Sequence, residues 1–115
     1  MPTIYLLPTC KTCQRIHATV QESGEWEVRD IKSAPLSEAE LDQLAERAGS
    51  YEALFSRRAI LYRQRELGKQ TLTEADYRRL ILEHYTFLKR PILDVNGQLF
   101  IGSSKKVVEA AIAAR

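Results

Sequence analysis

Within its first third the chain changes period twice, and that order limits the folds open to it. Residues 3–7 form a short apolar, partly β-branched run closed by Pro8, the pattern of a buried strand. From about residue 11 to 22 the period becomes helical, with Ile16 and Val20 on one face, and it ends at Ser23-Gly24, where glycine suits a left-handed stop. Residues 26–31 read as a second strand. Strand, helix, strand in this order predicts a βαβ unit with parallel pairing.

From Leu36 to about Glu83 the signal is almost continuously helical. Ser37-Glu38-Ala39-Glu40 is a capping box, Leu36 and Leu41 are placed as a hydrophobic staple, and Gly49 is a stop. A second helix is expected to start at Ser50 with Tyr51, Leu54 and Phe55 on its apolar face. A third is expected at Thr73, with Asp76 at its N3 place and Tyr77, Leu80, Ile81 and His84 along it. The tail returns to sheet. Asn96-Gly97 between two apolar runs is a type I′ hairpin signal, and Ser103-Ser104 offers an N-cap for a last helix burying Val107, Val108, Ala111 and Ile112. A parallel start and a hairpin end make the sheet mixed. The expected architecture is α/β, one domain over 1–115, its core from about 1–33 and 86–115 with an all-helical insertion at about 34–85.

A chain of 115 residues buries enough surface to fold without disulfide staples. Seventeen basic against fifteen acidic residues leave a net charge of +2, far from the footprint of a dedicated nucleic-acid binder. The N-terminal apolar run is too short for a signal peptide or a membrane span, so a soluble, cytoplasmic protein without a membrane partner is expected. In a reducing compartment two nearby cysteines point to redox chemistry or metal binding rather than a permanent staple.

The two cysteines, Cys10 and Cys13, flank Lys11-Thr12 where the extended pattern turns helical. If Cys13 lies in the first helical turn, both sulfurs fall on one side within disulfide reach. Cys10, just before the helix, faces unpaired backbone N–H groups and the positive end of the macrodipole, which favour a thiolate. Lys11 adds positive charge nearby, and Cys13 is expected to be less activated and more covered. Two other readings stay open on spacing alone: a pair of packed small apolar residues, or a zinc site built on Cys10, Cys13 and His17, for which no fourth ligand is visible locally. No metal is expected.

Two further groups stand out. Arg90-Pro91 opens a predicted strand; a proline there loses no ladder donor, and Arg90 beside it reads equally as a solvated base. Arg57-Arg58 closes a predicted helix, where the C-terminal dipole is a sufficient account.

Taken together, Cys10-Lys11-Thr12-Cys13, the segment Tyr51-Glu52-Ala53-Leu54-Phe55-Ser56-Arg57-Arg58, Lys89-Arg90-Pro91-Ile92 and the Ile101-Gly102 strand ending resemble the arsenate reductase and Spx family over essentially the whole chain. The resemblance implies a thioredoxin-like mixed sheet flanked by helices, with a helical insertion. It implies that Cys10 is the nucleophile and that Pro91 follows a cis bond against the cysteine. Arg90 would then aim its guanidinium at an oxyanion or thiolate, and Arg58 would match a second basic position in the substrate site of the reductase-like branch. Cys13 would resolve the adduct within the protein. No bound cofactor is implied; the electrons come from an external thiol donor, glutathione with glutaredoxin, or thioredoxin. The family's third arginine would stand just after Ile101-Gly102, where this chain has Ser103, so an oxyanion clamp here is one arginine short. The Spx branch implies an alternative, a redox-sensing transcriptional regulator that binds the RNA polymerase α-subunit, with Gly49 near its contact surface.

Overall fold

The computed structural model describes residues 1–115. Nine regular elements follow in chain order: β1 (Thr3–Leu6), α1 (Lys11–Gln21), β2 (Glu27–Asp30), α2 (Glu38–Ala48), α3 (Ile60–Gln64), α4 (Glu74–Glu83), β3 (Ile92–Val95), β4 (Gln98–Ile101) and α5 (Lys105–Ala113). They form two compact units, residues 1–34 with 90–115 and residues 35–89.

The first unit is a four-stranded mixed sheet in the order β2-β1-β3-β4. β1 runs parallel to β2, with Ile4 opposite Val28, and antiparallel to β3, with Ile4 opposite Leu93. β3 and β4 form the expected hairpin. Asn96 and Gly97 both have positive φ, 49° and 84°, as a type I′ turn requires. Alternation along β1 turns Ile4 and Leu6 inward. There they join Cys13, Ile16 and Val20 of α1, Leu93 and Val95 of β3, and Val108 and Ala111 of α5 in one buried cluster. The central strand β3 is apolar on both faces, Ile92 and Leu93 each being fully buried.

In the second unit both expected capping boxes are closed. Ser37 Oγ accepts from the Glu40 N–H and Thr73 Oγ1 from the Asp76 N–H, with each acidic side chain answering on the cap's own N–H. Gly49 ends α2 at φ 100°. The helix expected from Ser50 is instead a single 3-10 turn, Glu52–Leu54. Its continuation is cut because Phe55 goes extended and bridges Leu88, while Ser56 N–H donates to the Phe87 carbonyl (2.7 Å) and Lys89 N–H to the Leu54 carbonyl (2.8 Å). The Glu74 carboxylate closes the turn's start by accepting from the N–H groups of Tyr51 (2.7 Å) and Glu52 (3.1 Å). Phe55 is thereby held against Phe87, Tyr77 and Tyr62, with ring centroids 5.4, 4.8 and 6.0 Å away. α4 stops at His84, which takes an extended conformation rather than continuing the helix.

Candidate active site

The loop after β1 is tied down locally before it becomes α1. Cys10 N–H donates to the Leu7 carbonyl (3.0 Å), and Gln14, one turn into the helix, reaches back to the Pro8 carbonyl (2.6 Å). Cys10 is left as the N-cap residue, with extended φ and ψ and a half-buried side chain. Its sulfur closes no capping hydrogen bond of ordinary length. The orphan N–H groups of Thr12 and Cys13 nevertheless point toward it, the positions an N-cap side chain normally serves.

The two thiols diverge from there. Partial burial works against the Cys10 anion, but the Cys13 N–H, the Cys13 thiol, the Thr12 N–H and the Arg90 charge together outweigh it and lower its pKa. Cys13 lies in the core with no exposed surface. Burial pushes its thiol up to about 11; the Leu7 N–H works against that rise, while the hydrogen bond to Cys10 and the charge on the Cys10 sulfur reinforce it. One sulfur is favoured as an anion and its neighbour is kept as a thiol that donates to it.

Arg90 begins the return of the chain to the first unit, and the Arg90–Pro91 peptide bond is cis. Pro91 is buried, and its carbonyl accepts from the Gly102 N–H (3.0 Å), which ties this loop to the end of β4. The guanidinium charge acts on both sulfurs. Its Nε is buried and has no hydrogen-bond partner. A buried charged donor without a partner, whose charge reaches both sulfurs, is suited to meet an anion arriving from outside.

Cys10, Cys13, Arg90 and Pro91 therefore belong to one unit, and the arginine charge reaches both cysteines. Lys11 is the first residue of α1 and its side chain is exposed. Arg58 belongs to the helical unit, exposed in the turn before α3, its N–H on Ser56 Oγ (3.3 Å). His17 is half-buried with Nε2 unpartnered, and no cluster of three metal-ligating side chains exists in the chain. Three contributors were not assigned from sequence: the Leu7 N–H, the Thr12 N–H and the Gln14 tether. The Thr12 N–H follows from the N-cap position of Cys10, whereas the Leu7 N–H acts on Cys13 from just past the end of β1 and, like the reach of Gln14 to Pro8, carries no local signal.

A model of the ArsC family matches residues 5–111. The global transcriptional regulator Spx of Bacillus subtilis is 29% identical over 104 residues, covering 89% of this chain and 79% of that protein. Among solved structures, an arsenate reductase related protein from Brucella melitensis aligns with a TM-score of 0.76 at 26% identity, covering 95% of this chain and 92% of that one. The arsenate reductase from Vibrio cholerae aligns at 0.81 with 23% identity, over 99% and 97% of the two chains, a likeness of fold. The mixed four-stranded sheet flanked by helices is the thioredoxin-like fold of these neighbours. The chain belongs to the ArsC family, a group of thiol oxidoreductases and regulators.

Proposed function

We propose that this protein is an arsenate reductase-like thiol oxidoreductase in which Cys10 attacks and Cys13 resolves. The observation that carries the reading is Arg90, whose unpartnered, buried Nε belongs to a charge acting on both sulfurs. In the first step the Cys10 thiolate attacks one sulfur of a disulfide R–S–S–R′, forming a Cys10–S–S–R bond and expelling R′S⁻. Cys13 then attacks the Cys10 sulfur, forming the internal disulfide and expelling RS⁻. The two protons of the protein thiols end on the two released thiolates, so two thiols are oxidised as one disulfide is reduced. An external dithiol such as thioredoxin, or glutathione with glutaredoxin, returns the protein to its starting state.

An oxyanion such as arsenate is the other substrate class that Arg90 suits. With Ser103 where the family has a third arginine, the oxyanion clamp is weaker, and the disulfide is the better substrate on this reading. Lys11, Arg58 and Pro91 are assigned to substrate binding. A turnover series of a glutathione mixed disulfide against arsenate, with thioredoxin and glutaredoxin as donors, tests the proposal. Turnover of the mixed disulfide that Cys10→Ser abolishes is expected. Full activity of Cys10→Ser would overturn it.

A second reading is favoured by the 29% identity to a Spx regulator: the Cys10–Cys13 pair as a redox switch on a surface that binds the RNA polymerase α-subunit. Capture of that subunit by one redox form and not the other is its expected signature. Equal capture by both forms would dismiss it.

A further inference from the structure

We propose that Gln14 is a positioning residue of this site: its side chain locks the turn that carries Cys10, so that the attacking sulfur is presented in a single orientation. The inference rests on the assignment of Cys10 as the attacking sulfur and adds what holds that sulfur in place. Residues 7–10 form a reverse turn closed by the Cys10 N–H on the Leu7 carbonyl (3.0 Å), with Pro8 in second place, where its fixed φ belongs. Such a turn keeps one soft coordinate. The peptide plane between its second and third residues can swing over, exchanging the type I and type II arrangements, and the two differ in where the second carbonyl points. Here that carbonyl belongs to Pro8, and it is the one Gln14 holds, at 2.6 Å.

No other polar group holds that plane. Pro8 has no N–H, residues 8 and 9 make no other hydrogen bond, and both are exposed, so packing does little to fix them. Type II would need positive φ at Thr9, and positive φ outside glycine is confined to Glu66 and Asn96, so the turn is not in that form. Gln14 grips the chain on both sides of this linkage, because its main-chain N–H also donates to the Cys10 carbonyl (3.0 Å). With the side-chain bond gone, the Thr9–Cys10 linkage and the closing hydrogen bond loosen together. Cys10 then loses its fixed extended backbone (φ −83°, ψ 117°), from which its sulfur meets the N–H groups of Thr12 and Cys13. A sulfur that wanders from that place spends less time as an anion and less time aligned for attack.

The test uses iodoacetamide as electrophile and needs no natural substrate. Alkylation of Cys10 in the full-length reduced protein is followed by peptide mass across pH, and exchange of the Cys10 N–H by NMR. Gln14→Met keeps length and neutrality but has no donor, whereas Gln14→Arg keeps donors within the same reach. In Gln14→Met the alkylation rate at neutral pH is expected to fall about threefold or more, with the midpoint of the pH profile moved up. Protection of the Cys10 N–H should fall with it, while the urea midpoint changes little because the side chain is exposed. Gln14→Arg is expected to restore the Cys10 N–H protection, a readout that its added charge does not imitate. A Gln14→Met pH profile that superimposes on the wild type, or a protection that Gln14→Arg fails to restore, would overturn the positioning role. Turnover of Cys10→Ser is read separately, so failure of the tether and failure of the thiol mechanism are told apart.

Discussion

Cys10 and Cys13 are one residue type in adjacent turns of backbone, and their surroundings move them in opposite directions. Each direction has a consequence for stability. Folded Cys13 holds its proton up to about 11, whereas an unfolded thiol releases it near the ordinary 9.0. Between these values the folded state binds more protons than the unfolded one, so stability falls as pH rises through that window. Cys13→Ala is expected to flatten this alkaline decline in urea unfolding measured from pH 8 to pH 11. Cys10, lowered, has the opposite sign: its contribution is present above the ordinary thiol value and is lost as pH falls through its folded value. Arg90 separates two roles in the same way. Its charge is the smallest of the named influences on Cys10, so Arg90→Met should leave the pH profile of Cys10 alkylation nearly in place. The same variant removes a charged donor for an anionic substrate, about 1.5–3 kcal/mol, and should lower kcat/KM roughly 10- to 150-fold. An equal loss in both readouts would mean that Arg90 acts on the thiol alone.

At the scale of elements, what was readable in the chain was local. The βαβ order, the Asn96-Gly97 hairpin and the boxes at Ser37 and Thr73 are each written within a few residues, because caps and turns are short-range devices. The break at Phe55 was not readable, since it is made by pairing with Leu88, thirty-three positions away, and helical periodicity carries no trace of such a partner. The reach of the Arg90 charge to Cys10 is of the same kind. Spacing alone left Arg90 as an ordinary strand-end base, and the resemblance of the whole chain was what joined it to the cysteine. The local devices carry measurable energies. Ser37→Ala and Thr73→Ala should each cost about 1 kcal/mol in urea unfolding with an unchanged denaturant slope, and neither should alter Cys10 alkylation. Gly49→Ala should cost about as much or more for a different reason: a Cβ there meets nothing within 4 Å, and the penalty comes from holding alanine at φ 100°.

At the scale of the whole molecule, the chain leaves the sheet unit after Ala34 and re-enters it at Arg90, the residue whose charge reaches the thiols. The helical unit has its own apolar centre around Phe55, fully buried in a ring of three aromatic partners. Phe55→Ala should therefore be destabilising by about 3–5 kcal/mol in urea unfolding. The central claim concerns the division of labour between two sulfurs, and it is tested most directly by trapping. Cys13→Ser, mixed with a glutathione disulfide and analysed by intact and peptide mass spectrometry, should accumulate one glutathione on Cys10 and stall there, while the wild type passes on to an internal disulfide. A Cys13→Ser protein that turns over like the wild type, or carries no adduct on Cys10, would contradict the account.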